Sequence, residues 1–366
     1  MRSHRTALFA ATATMIVLAG CQASSTASDP ESSGGSPGTF DYGALPFTDI
    51  LPLDEGAIEG AEEILIGFSQ TCFNHPWRTA MIDSAEAEVA RHPGIELIVT
   101  DGNCDVAKQS NDVDDLIARG VDALIVSPVE SAGLAPAVDR AMAAGIPVVV
   151  LDRDVPTDKT VFIGQSNVAM AYEVATQMIA DLGGEGRIVE LTGLSGSSAA
   201  TDRSKGLQMA LAEAPGIELV ASGDAEWVRE PAVGIVEDWL TVYDDIDAIF
   251  SHAEESSWGA QQAIANVGRC DDGILHYTHD GSAPGFQAVE RGDFQGDGNY
   301  TPFIGDIGVR AVVLALTGDE IAGTQSYDQP GRYLEIPSLP VVTADNAAEW
   351  VDRAWGDFEL PSNPCD

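Results

Sequence analysis

ILIGFSQ (Ile64–Gln70), IELIVT (Ile95–Thr100), DALIVSP (Asp122–Pro128) and IPVVVLD (Ile146–Asp152) are four short apolar runs rich in β-branched residues. They are separated by three stretches with helical spacing, Pro76–Arg91, Val106–Arg119 and Ser131–Ala144, the first opened by a proline. The runs do not alternate apolar with polar, as a strand with one wet face would, so each reads as a strand buried on both faces. Buried strands alternating with amphipathic helices give a parallel sheet covered on both sides. After Ile163 the pattern restarts with helix 167–182, RIVELTG (187–193), helix 199–214, IELVAS (217–222) and helix 232–243. DAIFSH (247–252), helix 256–267 and ILHYTHD (274–280) complete it. The fold class is therefore α/β, with two doubly wound parallel-sheet lobes. Ligands of such sheets bind beyond the carboxyl ends of the strands, so site residues are expected in the loops that follow strands.

The chain has 366 residues, enough for two separate cores. Lys and Arg number 18 against 58 Asp and Glu, a net charge of -40, and the only lysines are Lys108, Lys159 and Lys205. A nucleic-acid partner needs clustered cations to neutralise phosphates, so that class is excluded. The acid is spread along the chain and reads as a solvated, self-repelling surface, with a saline or acidic habitat as the alternative.

Arg2 and Arg5 precede an apolar run from Ala7 to Ala19, too short for a stable span and placed like a signal peptide (1–20). It ends Leu18-Ala19-Gly20-Cys21, which resembles the bacterial lipobox and makes Cys21 the expected lipid anchor, holding the mature protein on the extracytoplasmic face of the membrane. The Ser/Gly/Pro tract of 21–38 reads as a flexible tether, and 39–62 as an irregular lead-in. Export to an oxidising compartment favours pairing of the remaining cysteines, Cys72, Cys104, Cys270 and Cys365. Three pairings are open. Cys72 and Cys104 follow the first two strands, which if adjacent bring both to one sheet edge and leave Cys270 for Cys365; free buried thiols are the alternative.

Certain segments carry a specific resemblance: Gly67-Phe68-Ser69-Gln70 with Trp77-Arg78, Leu151-Asp152-Arg153, and Val189-Glu190-Leu191 running to Gly196, Ser198, Asp202-Arg203 and Lys205-Gly206. His279-Asp280-Gly281 closes the series. In this order the chain resembles the periplasmic sugar-binding proteins of ATP-driven (ABC) importers, the ribose-binding-like type 1 proteins, closest to their galactofuranose-binding branch, over roughly 63–342. The resemblance implies a monosaccharide or small sugar derivative held between the lobes and passed to a permease, with no cofactor or metal, and a monomer. It implies a three-segment hinge near 163–166, 299–302 and 332–334, giving a first lobe of 63–165 with 301–332 and a second of 166–300 with 333–366. It places Asp152, Arg153, Arg203 and Asp280 on ring hydroxyls, Trp77 and Trp227 as stacking plates, and Arg78 beside them. A sugar does need acceptors and donor forks around apolar plates. The chain departs from the pattern at His75, at Ala253-Glu254-Glu255, where an amide is lost, and at the late polar contact, which falls on Asn299 or Tyr300; Asn299 is the expected ligand.

Other chemistry is weakly signalled. Ser195 and Ser198 read as helix-start residues because the second glycine of a nucleophile elbow is missing. His276 and His279, three apart on a strand, face opposite sides and cannot chelate one metal. A glycosidase would need two opposed carboxylates, and adjacent Glu254 and Glu255 make a poor pair. A sensor that presents its ligand to a signalling receptor stays open as the alternative to transport.

Overall fold

The computed structural model describes residues 49–53 and 63–366. The signal peptide, Cys21, the tether and most of the lead-in lie outside the described residues. The first lobe is built from β1 (Ile64–Gln70), α1 (Pro76–Ala90), β2 (Ile95–Asp101), α2 (Val106–Arg119), β3 (Ala123–Val126), α3 (Ser131–Ala143), β4 (Val148–Leu151) and β5 (Val161–Gly164). The second comprises α4 (Asn167–Asp181), β6 (Gly186–Thr192), α5 (Ser198–Glu213), β7 (Ile217–Asp224), α6 (Arg229–Val242), β8 (Ala248–Ser251), α7 (Glu254–Asn266), β9 (Leu275–His279), α8 (Ala283–Arg291) and β10 (Gly296–Gly298). The chain then returns to the first lobe with α9 (Gly305–Thr317) and β11 (Tyr333–Glu335), and ends beyond the short α10 (Ala347–Trp350).

Both sheets are parallel throughout, in the orders β11-β5-β4-β3-β1-β2 and β10-β9-β8-β6-β7. Every residue of β3 and β4 is buried, which is why those runs are apolar without alternation. Val113 and Leu116 of α2 and Leu134 and Val138 of α3 pack on Leu124, Val126, Val148 and Val150, while Met178 and Leu207 from α4 and α5 meet Ile188 and Phe250 in the second lobe. Caps set the helix starts. Asp105 accepts from the Lys108 N–H at 2.7 Å, Ser166 from Ala169 at 3.2 Å, and Ser282 from Gly285 at 2.9 Å.

Three findings differ from the sequence reading. β11 pairs with β5, with Tyr333 stacked on Phe162 at 5.2 Å, so 333–335 complete the first sheet. The third crossing therefore lies between Glu335 and Val342, which bridges to Asp297, and not at 332–334. A three-residue strand finds its place through β5's free edge and gives no periodic signal of its own. Helices α6 and α7 begin at Arg229 and Glu254, earlier than 232 and 256. Pro231 is tolerated because first-turn N–H groups have no helical acceptor to lose.

Cys72 pairs with Cys104 and Cys270 with Cys365, as the adjacency of β1 and β2 suggested. The second bridge ties the Pro361–Pro364 tail to the second lobe, where Cys365 packs beside Ile264 and Leu240. No helix among the described residues is long and apolar enough to cross a membrane.

Candidate functional site

The loops after β1, β4, β6, β7 and β9 converge on one cavity. His75, Trp77, Arg78, Asp152 and Arg153 line it from the first lobe, Arg203, Trp227 and Asp280 from the second, and Tyr300 from the second crossing. Among the described residues seven non-glycine positions have a left-handed backbone, and five of them, Cys104, Asp152, Glu226, Trp227 and Asp280, line this cavity. Strain of this kind persists where surrounding structure holds it for a purpose, which separates this cavity from ordinary surface.

On the first wall, Arg78 donates to Ser127 Oγ at 3.0 Å and to Asp152 Oδ2 at 2.6 Å. The Tyr300 hydroxyl donates to the other Asp152 oxygen at 2.6 Å. Burial alone would raise the Asp152 carboxyl, but Arg78, Arg153 and these hydrogen bonds outweigh it and hold Asp152 below its usual range, ionised. Arg153 donates to the carbonyls of Pro128 and Val129 and stays cationic, though burial and Arg78 lower it to about 9. His75 caps α1 by accepting the Trp77 N–H on Nδ1 at 3.2 Å. Burial first, then Arg78, Arg203 and Arg153, lower His75 to about 3, so the ring is neutral and its proton must sit on Nε2. That Nε2–H faces Asp280 across the cavity at 3.5 Å.

On the second wall, Arg203 donates from Nε to Asn167 Oδ1 at 2.9 Å and from Nη1 to the His252 carbonyl, and lies 3.7 Å from Asp280. The Trp227 ring is flanked by the Arg153 and Arg203 guanidinium groups, each 5.3 Å from its centroid. It rests on Gly193, where a Cβ would fall 2.1 Å from the ring, so this glycine is needed for close approach. Burial raises Asp280 well above its usual range, Arg203 opposes that, and Glu254 adds to it. Behind Asp280, Glu254 accepts from the Ser282 N–H at 2.8 Å, and Glu254 and Asp297 converge on Gly285. Both carboxyls are raised, first by burial, and the pair retains a proton.

At the rim the lobes bond directly. The Ser131 N–H donates to the Gly196 carbonyl at 3.0 Å, and Ser198 Oγ receives the Asp154 N–H at 2.9 Å. Ser198 is thus a helix-start residue, and Ser195 donates its N–H to Asp224. Glu255 pairs with Arg229 at 2.5 Å, so neither Glu254 nor Glu255 faces the cavity as half of an opposed pair. His276 and His279 are buried in β9, His276 near Phe294 and His279 against Phe250.

Eight of the nine expected site residues line the cavity. Asn299 does not; it is buried beside Gly281, and Tyr300 takes its place one residue on. Leu194, Ala199, Glu226 and the Cys72–Cys104 bridge also line the cavity without having been expected there. Asn167 was missed as Arg203's support; its place at the start of α4 beside a hinge segment was the available signal.

The family model described as "Periplasmic binding protein domain" matches residues 66–320. The ribose import binding protein RbsB of Bacillus subtilis is 31% identical over 267 residues, 72% of this chain and 86% of that protein. The xylitol-binding protein of Mycolicibacterium smegmatis is 36% identical over 259 residues, covering 70% and 71%. The galactofuranose-binding protein YtfQ of Escherichia coli is 29% identical over 251 residues, covering 66% and 79%. Among solved structures, the periplasmic fructose-binding domain of a hybrid two-component system superposes with a TM-score of 0.71 at 31% identity, covering 78% of this chain and 92% of that one. With two parallel-sheet lobes, a hinge of three segments and a polar cavity between them, this chain belongs to the type 1 periplasmic binding proteins.

Proposed function

We infer that the protein is a lipid-anchored extracytoplasmic receptor that captures a monosaccharide or small polyol between its lobes and delivers it to the permease of an ABC importer. The observation that carries this reading is the meeting of His75, Arg78, Asp152 and Arg153 with Arg203, Trp227 and Asp280 in one cavity. It pairs carboxyl acceptors and donor forks with the Trp77 and Trp227 indole plates, the combination that sugar hydroxyls and an apolar carbon face require. Closure follows because only the closed form lets a ligand touch both walls at once. Capture without turnover fits the commitment of Glu254 and Glu255 to Ser282 and Arg229. Attachment at Cys21 fits the Leu18-Ala19-Gly20-Cys21 run.

Calorimetric titration with pentoses, hexoses and alditols tests the reading. At least one is expected to bind with a dissociation constant in the micromolar range or below, and silence across the panel would refute it. A sensing role is the second reading, favoured by the fructose-binding domain of the two-component system. Stimulation of a reconstituted importer's ATP hydrolysis by the loaded protein separates transport from sensing.

A further inference from the structure

Tyr300 sits on the second crossing and ties together groups from both lobes. Its carbonyl accepts from Trp77 Nε1 at 3.2 Å, and its ring stacks on Trp77 with centroids 5.3 Å apart and planes 13° from parallel. The Arg203 guanidinium lies 4.8 Å from the ring centroid. The phenol donates to Asp152 of the first lobe and accepts from Asn167 Nδ2 of the second at 3.3 Å. Burial and the neighbouring Asp152 charge push the phenol upward, so it remains a donor, and an ionised carboxylate is the acceptor such a donor prefers. A hydroxyl of this chain therefore already occupies the face of Asp152 that a ligand hydroxyl would otherwise take.

What the cavity leaves unspent lies elsewhere on its lining. The buried N–H groups of His75 Nε2, Arg153 Nε and Trp227 Nε1 have no protein hydrogen-bond partner, and Asp280 stands opposite His75. We propose that Tyr300 is the specificity-determining residue of the cavity: its ring and hydroxyl fill the Asp152 subsite and restrict the ligand to polyols and pentoses smaller than a hexopyranose. A hexopyranose held by the free donors would have to displace the phenol from Asp152, losing a charge-assisted hydrogen bond and leaving a buried polar group unpaired.

This proposal rests on the sugar-receptor reading. Its test is calorimetry with glycerol, xylitol, D-ribose, D-glucose and D-galactose on the wild type, Tyr300→Phe, Tyr300→Asn and Tyr300→Ala, with melting curves to verify folding. The wild type is expected to bind xylitol or ribose at least tenfold more tightly than either hexose. Tyr300→Ala and Tyr300→Asn are expected to shrink or invert that ratio by tenfold or more, while Tyr300→Phe, which keeps the ring but frees Asp152, shrinks it by less. A wild type that favours hexoses, or an opened variant that weakens every ligand by the same factor, overturns the role of Tyr300 and leaves the receptor reading standing. Failure of the wild type to bind any of the five, or any other sugar, overturns both. If Tyr300→Ala does not fold, the ratio measured for Tyr300→Asn decides.

Discussion

The two walls of the cavity handle charge differently. On the first, Asp152 is held by Arg78 and Tyr300, lies close to Arg153, and stays ionised below its usual range. On the second, Asp280 has Arg203 as the nearby cation of its own lobe and accepts the Glu254 N–H at 3.3 Å, with the Glu254 and Asp297 carboxyls buried behind it, and is raised well above its usual range. The carboxylate of the first wall is fully paired, whereas the second wall carries more buried acid than its one guanidinium compensates. Arg78 and His75 of the first wall reach Asp280 only when the lobes meet. Closure therefore relieves the second wall, and a ligand with donor hydroxyls relieves it further.

The largest test of this contrast is Arg203→Ala. Losing its charged hydrogen bonds in a desolvated cavity is expected to cost about 2 to 4 kcal/mol of ligand affinity. Asp280, already raised, can take a proton in place of its lost cation, so the melting temperature is expected to fall little at pH 5 and more at pH 8. Unchanged affinity with a lowered melting temperature would make Arg203 an ion-pair partner and remove it from the site.

Asp297→Asn comes next. Burial and Asp280 push Asp297 up to about 7, so the folded protein holds a proton there that the unfolded chain releases near pH 4. More protons bound in the folded state means that this group's contribution falls as pH rises from about 4 to 7 and is fully unfavourable above that. The variant is therefore expected to melt higher than the wild type at pH 8, by roughly 2 to 4 °C per kcal/mol recovered, and alike at pH 4. An equal shift at both values would mean that packing, not a proton, is at issue.

His75 gives the opposite expectation for binding. It is neutral with its proton on Nε2 down to about pH 3, so affinity is expected to show no step near pH 6.5 that His75→Gln removes. Such a step, seen in calorimetry across pH 5 to 8, would mean that the imidazole is exposed to solvent in the ligand-free form.

The smallest effect is expected at Asp202→Asn. Asp202 lies one turn after Ser198 and is raised to about 6 by burial and by Asp328 and Asp154, with Lys205 opposing. Because the charge opposes closure only above that value, the variant should tighten binding a few-fold at pH 8 and not at pH 5. Tightening of equal size at both would point away from repulsion at the rim.

The same contrast explains what the sequence disclosed. β1, β3 and β4 were legible because strands buried on both faces must be apolar throughout, whereas β2, read as buried too, is a half-buried edge strand; Asp152, Arg153, Arg203 and Asp280 were legible because the fold puts ligands at strand ends. Gly296–Gly298 and Tyr333–Glu335 were not, since three-residue strands are placed by the sheet edge that receives them. The choice between Asn299 and Tyr300 turned on one residue of register in a crossing segment, where no periodicity operates. The raised carboxyls of Glu254 and Asp297 belong to residues 43 apart that meet only through packing at Gly285.

The most direct test of the central claim is small-angle X-ray scattering of the protein with and without the tightest-binding polyol or sugar. If the cavity is a capture site that closes, saturating ligand lowers the radius of gyration, and Arg203→Ala abolishes the change. An unchanged radius with a ligand that raises the melting temperature would contradict closure between the two walls.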